Sequence, residues 1–393
     1  MMNAGTHLAR LIRPRVTRAG LLFLLVSLWG CWAIHNATRG ASTHGWFVLR
    51  QLVWIVFGGT ALFVTSGLDY RQLRRAAPWL AGVAWAGLVL VLLFGIRING
   101  MKGWFSWRGL FLQPSEIAKP VFVLTLAAVM DRTSPHRKQW LRGYGPCLAV
   151  FLLWILPIAC QPDFGAVLVY GVTFAVVYWC LGGRVTHLAV SALAALPAVV
   201  GAVHRHPYVK QRLLAYLNPE AYAQTCGWHL IQFRRTLASG GLFGSAWGHG
   251  EWSHGYLPLG YSDSIFASTA ERLGFFGVLP LLILILGWAV YGCYQACRAR
   301  SEFSSGVIVG MVALLTGQAF IHLSVNLGLL PPTGITLPLV SYGGSSLLAT
   351  MIAVGTVESM VRGDTIPAAA ATTRKQRSSA SPQPDPEPAV LRS

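Results

Sequence analysis

Residues 257–300 read LPLGYSDSIFASTAERLGFFGVLPLLILILGWAVYGCYQACRAR, passing from an acid, Asp263, through a long apolar run to a basic end at Arg298 and Arg300. An apolar run of roughly twenty residues has the length of a bilayer crossing. Its basic end marks the cytoplasmic side by the positive-inside rule. Asp263 and Glu271 then stand at the entrance of the span, where an ionisable group near hydrocarbon is costly enough to suggest function. The simpler reading is an interfacial aspartate that caps the helix starting near Ser264. Spacing alone leaves both open.

The same alternation repeats along the chain. Ten spans are expected, beginning near Ala19, Phe47, Trp79, Ser115, Pro146, Phe164, Thr186, Ser264, Gly306 and Leu337. With 54% hydrophobic and 11% charged residues in 393, the fold class is all-α, a polytopic helical membrane protein. A β-barrel would need short alternating segments instead of continuous runs. Residues 1–18 form a basic N-terminus, residues 19–362 the membrane domain, and residues 363–393 a Ser/Pro-rich tail too polar to order itself. Ala19 to Trp32 lacks a cleavage site and reads as a retained span.

The formal charge of +18 would suit nucleic acid in a soluble protein, but its placement follows topology. Arg10 to Arg18, Arg71 to Arg75, Arg132 to Arg142 and Arg298 to Arg300 fall at alternate turns, so nucleic acid is not the partner. An even number of spans puts both termini in the cytoplasm, with Arg362, Arg374, Lys375 and Arg377 after the last one. The seven cysteines make no zinc or redox framework, and Cys293 with Cys297 reads as packing ahead of metal binding or acylation.

Residues 204–263 form the one large external segment, with weak apolar periods and five basic residues, among them Arg205 and Arg212. A cationic outer loop suits an anionic headgroup, with plain solvated charge as the alternative. Gly240, Gly241, Gly244, Gly248 and Gly250 mark either backbone close to a ligand or an irregular loop. Of the 13 acids, only Glu116, Asp163, Glu220, Glu251, Asp263 and Glu271 fall outside the cytoplasmic turns and tail, where Glu358 is also placed. Glu116 and Lys119 share a helix face, as a structural ion pair or as the lining of a polar cavity, with Ser115 expected as the N-cap. Asp163 in the turn Gln161 to Gly165 reads as the cap of the sixth span ahead of a functional acid. Prolines and glycines between Asn326 and Ser346 interrupt the apolar pattern, which at membrane depth requires a cavity or burial in protein.

Together these residues resemble the SEDS family of shape, elongation, division and sporulation proteins, whose main branches are FtsW and RodA. The resemblance covers roughly Pro14 to Arg362. It is carried by Trp104, Gln113-Pro114-Ser115-Glu116-Ile117-Ala118-Lys119, Gln161-Pro162-Asp163-Phe164-Gly165, Arg212 with Asn218-Pro219, Ser239 to Gly244, Leu257-Pro258 with Asp263, Glu271 with Leu273-Gly274, and Ser341 to Ser346. Thr336 to Val340 and Val325-Asn326 are more similar to the FtsW branch.

The resemblance implies a peptidoglycan glycosyltransferase of the bacterial inner membrane that polymerises lipid II beside a class B penicillin-binding transpeptidase. Asp263 matches the family's essential external aspartate and becomes the catalytic candidate, a general base for the acceptor hydroxyl. Trp104, Lys102, Gln113, Glu116, Lys119, Asp163, Arg212, Glu271 and Ser341 are the substrate-contact candidates. Lys102, Lys119, Arg212 or a divalent cation, magnesium or manganese, would neutralise the leaving diphosphate. Leu259, Tyr261, Ser262 and Ser264 replace the usual Glu, His, Thr and Phe, Gly103 replaces an Arg, and His229 with Phe233 replaces a Gln and a Ser. A flippase for lipid-linked precursor and a catalytically weak scaffold of the division or elongation machinery remain as rival readings.

Overall fold

The computed structural model describes residues 18–38, 44–98, 100–107, 109–205, 207–225, 227–245, 250, 252–253, 257 and 259–365. The basic N-terminus, most of the tail, Gly248, Glu251 and Pro258 lie outside them. Helices dominate: α1 (Arg18–Ala37), α2 (His44–Gly67), α3 (Tyr70–Phe94), α4 (Pro114–Arg132), α5 (Gly145–Cys160), α6 (Phe164–Cys180), α7 (Val185–Arg205), α8 (Pro207–Leu217), α9 (Gly227–Gly240), α10 (Ile265–Arg298), α11 (Glu302–Asn326) and α12 (Gly344–Thr365). Eight are long and apolar enough to cross a membrane, and apolar α6 is shorter at 17 residues. With α4, whose Glu116, Lys119, Asp131 and Arg132 dilute its apolar run, these make up the expected ten.

Several boundaries differ from the sequence reading. The third helix starts at Tyr70, where the Asp69 carboxylate accepts from Arg71 N and Gln72 closes a capping box, so Arg71 to Arg75 lie in its first turns. The last helix starts at Gly344 and not near Leu337, because 327–343 is irregular chain, buried at Ile335, Leu337 and Leu339 to Ser341. Ser115 is not a cap; Gln113 holds that position, with Pro114 at the first helical residue, where a missing N–H costs nothing. The segment 204–263, read as a loop, contains α8 and α9. A small antiparallel sheet, β1 (Ile96–Ile98), β2 (Met101–Trp107) and β3 (Leu110–Leu112), departs from the all-α expectation and links α3 to α4.

The centre of the bundle is α11, which packs against α4, α6, α10 and α12, while α12 lies along α2. Phe122, Val123, Leu126 and Met130 of α4 meet Val307, Ile308 and Met311 of α11 and Val354 and Val357 of α12 in one dry cluster. By contrast α7 buries almost nothing but His187, and its leucines and valines face outward as a lipid-contacting helix must. Glu358 is no turn residue: it is buried in α12 and accepts a 2.9 Å hydrogen bond from Gly20 N in the first turn of α1.

Candidate active site

Two cavities meet at Asp263. The first, of about 510 Å³, is lined by Trp104 of β2, Arg50 of α2, Glu116 and Lys119 of α4, and Asp163. The second, of about 680 Å³, lies under α8 and α9 and is lined by His229, Phe233 and Val325. Arg212 and Asp263 border both.

Asp263 is not a helix cap. The cap position of α10 is Ser264, which makes no side-chain cap hydrogen bond, and the Asp263 carboxylate instead accepts from Ser262 Oγ at 3.1 Å. Its backbone is held from α11, where Asn326 Nδ2 donates to Asp263 O at 3.0 Å and Asn326 Oδ1 accepts from Ala267 N at 3.3 Å. The preceding turn is pinned to the irregular chain: Tyr342 N donates to Tyr261 O at 2.9 Å, and Ser341 Oγ donates to Ser262 O at 2.8 Å. Burial pushes the Asp263 carboxyl above its ordinary 3.8, while the Ser262 hydroxyl and the Arg212 charge pull it back.

Lys119 and Glu116 form the expected ion pair at 2.5 Å, and Lys119 also donates to Gln318 Oε1 of α11 at 2.8 Å. Gln318 Nε2 in turn donates to Thr336 O at 3.1 Å and Ser346 Oγ at 3.1 Å. One polar network thus runs from α4 through α11 to the start of α12. Asp163 both caps α6, accepting from Ala166 N at 2.9 Å, and accepts from Gln113 Nε2 at 3.0 Å inside the first cavity. Burial raises its carboxyl, with Glu116 adding and Lys119 and Ser115 opposing. Arg212 is aimed by a 2.8 Å hydrogen bond to Pro332 O.

Three candidates stand away from both cavity linings. Lys102 donates to Leu93 O at 2.9 Å and so closes the end of α3. Glu271 is buried, its carboxylate accepting from Trp252 N at 3.0 Å and Ser253 N at 2.9 Å, which ties the chain after α9 onto α10. The glycine-rich segment serves the same packing, since a Cβ at Gly244 would sit 2.2 Å from Arg272 O. Ser341 acts through Ser262, as above, and accepts from Leu337 N at 2.8 Å. Glu220 is exposed in the turn before α9.

The sequence reading missed Arg50 and Gln318, named Asn326 only as a mark of the FtsW branch and named His229 only as a departure. Each leaves a signal. Arg50 is a lone cation in an apolar run, and Gln318, His322 and Asn326 recur every four residues on one face of an otherwise apolar helix. Among the described residues no three His, Cys, Asp or Glu side chains gather to hold a metal ion. Among the described residues, Arg50, Lys119 and Arg212 are the Lys and Arg side chains that line the first cavity.

The sequence model of a family described as cell cycle protein, built on FtsW, RodA and SpoVE, matches residues 15–365. Stage V sporulation protein E of Bacillus subtilis is 35% identical over 320 residues, 80% of this chain and 87% of the relative. The probable peptidoglycan glycosyltransferase FtsW of Trichlorobacter lovleyi is 32% identical over 321 residues, 81% and 84% of the two chains. Among solved structures, a chain from work on structural coordination of polymerization and crosslinking by a peptidoglycan synthase complex aligns with a TM-score of 0.73 at 28% identity, covering 88% of this chain and 98% of that one. Thermus thermophilus rod shape determining protein RodA aligns with a TM-score of 0.67 at 27% identity, covering 88% and 97%. A helical bundle with a carboxylate at the junction of two cavities, matched over residues 15–365, belongs to the FtsW, RodA and SpoVE family of cell cycle proteins.

Proposed function

We propose that this multi-pass membrane protein is a peptidoglycan glycosyltransferase that polymerises lipid II on the outer face of the bacterial inner membrane, with a class B penicillin-binding transpeptidase as partner and both termini in the cytoplasm. The observation that carries the reading is Asp263, a carboxylate freed from capping, fixed through its backbone and open to two cavities at once. Asp263 takes the proton of the acceptor sugar hydroxyl as that oxygen bonds to the donor's anomeric carbon. The bond from that carbon to the diphosphate oxygen breaks, its electron pair leaves with the diphosphate, and direct displacement inverts the centre. Arg50, Lys119 and Arg212 face the charge that develops on the leaving group. Burial makes Asp263 a stronger base than a solvated carboxylate.

A transporter would continue the polar path toward the other end of the bundle. Beyond Lys119 the interior is instead closed by Phe122, Val123, Leu126 and Met130 packed on α11, which favours polymerisation over transport. Purified full-length protein with its partner transpeptidase and lipid II tests the reading. Asp263→Ala is expected to lower polymerisation by about 100-fold or more, the usual contribution of a general base. An Asp263→Ala protein that polymerises at full rate removes Asp263 as the general base, and a parent protein that does not polymerise lipid II refutes the reading.

A further inference from the structure

We infer that the second cavity is the acceptor-sugar subsite and that His229 is the residue that grips that sugar; this deepens, and rests on, the glycosyltransferase reading. Displacement requires the acceptor oxygen to approach the anomeric carbon from the side opposite the departing diphosphate, so two lipid-linked sugars must reach Asp263 from different directions. Asp263 is bordered by two cavities of different chemistry. The first gathers Arg50, Lys119 and Arg212 and suits the diphosphate. Arg212 and Asp263 border the second as well; its other walls include His229, Phe233, Pro207, Val209 and Val325, and among the described residues it has no further Lys, Arg, Asp or Glu.

An uncharged sugar ring has apolar C–H faces and a rim of hydroxyls, and it is held by apolar side chains with a few placed polar groups. His229 is the imidazole in that wall. It stands in the first turn of α9, its ring edge-on to Phe233 one turn further, with centroids 6.4 Å apart. Phe233 is fully buried and so fixes the side of α9 that the histidine presents. Among the described residues the Phe233 ring and the Arg212 charge are the interactions of His229, and neither ring nitrogen is engaged in a hydrogen bond. Burial and Arg212 lower its pKa, so the ring stays neutral, with one nitrogen a donor and the other an acceptor. That pair of functions matches a sugar hydroxyl.

Donor and acceptor are separated by two probes in single-transfer kinetics with full-length protein and its partner transpeptidase. A lipid II analogue lacking the reacting sugar hydroxyl can only donate, and one with a methylene in place of the anomeric oxygen can only accept. His229→Ala and His229→Phe are expected to raise KM for the acceptor probe about tenfold, the loss of one or two hydrogen bonds, with KM for the donor probe within about twofold. His229→Gln, which keeps a donor and an acceptor, recovers most of that loss. Arg205→Ala, exposed at the end of α7, is the control. A rise in donor KM instead, an unchanged acceptor KM, or wild-type behaviour of His229→Phe overturns the inference. The parent protein separates the two failures: if it does not polymerise lipid II, the glycosyltransferase reading itself falls, and if it polymerises while the His229 variants keep the parent's acceptor KM, only the subsite falls.

Discussion

Replacing Lys119 with methionine separates a structural ion pair from a working cation. The Lys119 side chain is 2% exposed and Glu116 13%, with the ion pair at 2.5 Å and a second bond to Gln318 at 2.8 Å. Breaking a buried pair costs about 3–5 kcal/mol when the remaining charge has no substitute partner. Glu116 opens on the first cavity, where water can reach it, so the loss for Lys119→Met falls at the lower end, about 3 kcal/mol. Removing both charges, as Lys119→Met with Glu116→Gln, leaves no orphan, and the cost shrinks to about 1 kcal/mol or less. The coupling, about 2 kcal/mol plus whatever Glu116→Gln alone costs, is read from a double-mutant cycle on unfolding in detergent. Activity is expected to behave differently: the double variant regains stability but still polymerises lipid II poorly, because the diphosphate has lost a cation. Recovery of both stability and polymerisation refutes the assignment of Lys119 to the leaving group. A Lys119→Met protein as stable as the parent refutes the burial argument itself.

Two further outcomes follow from the geometry. Arg212 favours the ionised form of Asp263, so Arg212→Met should move the acid limb of the kcat profile to higher pH, activity being lost as pH falls through the raised carboxyl value; an unmoved or lower limb contradicts the placement. Gly274 kinks α10 at φ 69° and ψ −177°, and a Cβ there would lie 2.3 Å from Gly244 N, so Gly274→Ala should cost more than about 3 kcal/mol by strain and backbone collision; a melting curve like that of the parent argues against the kink.

Much of the fold was legible because hydrocarbon imposes its requirement on every residue of a span. Continuous apolar runs bounded by arginines announced the helices, and four of the site candidates on α4 and its neighbours, Gln113, Glu116, Lys119 and Asp163, came together in one cavity. Lys102, Glu271 and Ser341 looked equivalent to them in sequence. A cation near a strand, an acid in the first turns of a span and a serine before a glycine pair carry no mark of whether they face ligand or backbone. Only the fold shows that their polar atoms are engaged by Leu93 O, by Trp252 N and Ser253 N, and by Ser262 O and Leu337 N.

Composition and periodicity by themselves determined the membrane architecture and the short roster of acids, and the ordered motifs carried the family resemblance, since each depends on local order along the chain and on the cost of charge in hydrocarbon. Tertiary structure alone decided what Asp263 is. Whether an aspartate before a helix caps it or points away depends on which distant groups hold its backbone. Here Asn326 from α11, with the irregular chain at Tyr342 and Ser341, fixes the turn so that the carboxylate faces two cavities. Those contacts span some 60 to 80 residues of sequence, a separation at which no spacing rule operates.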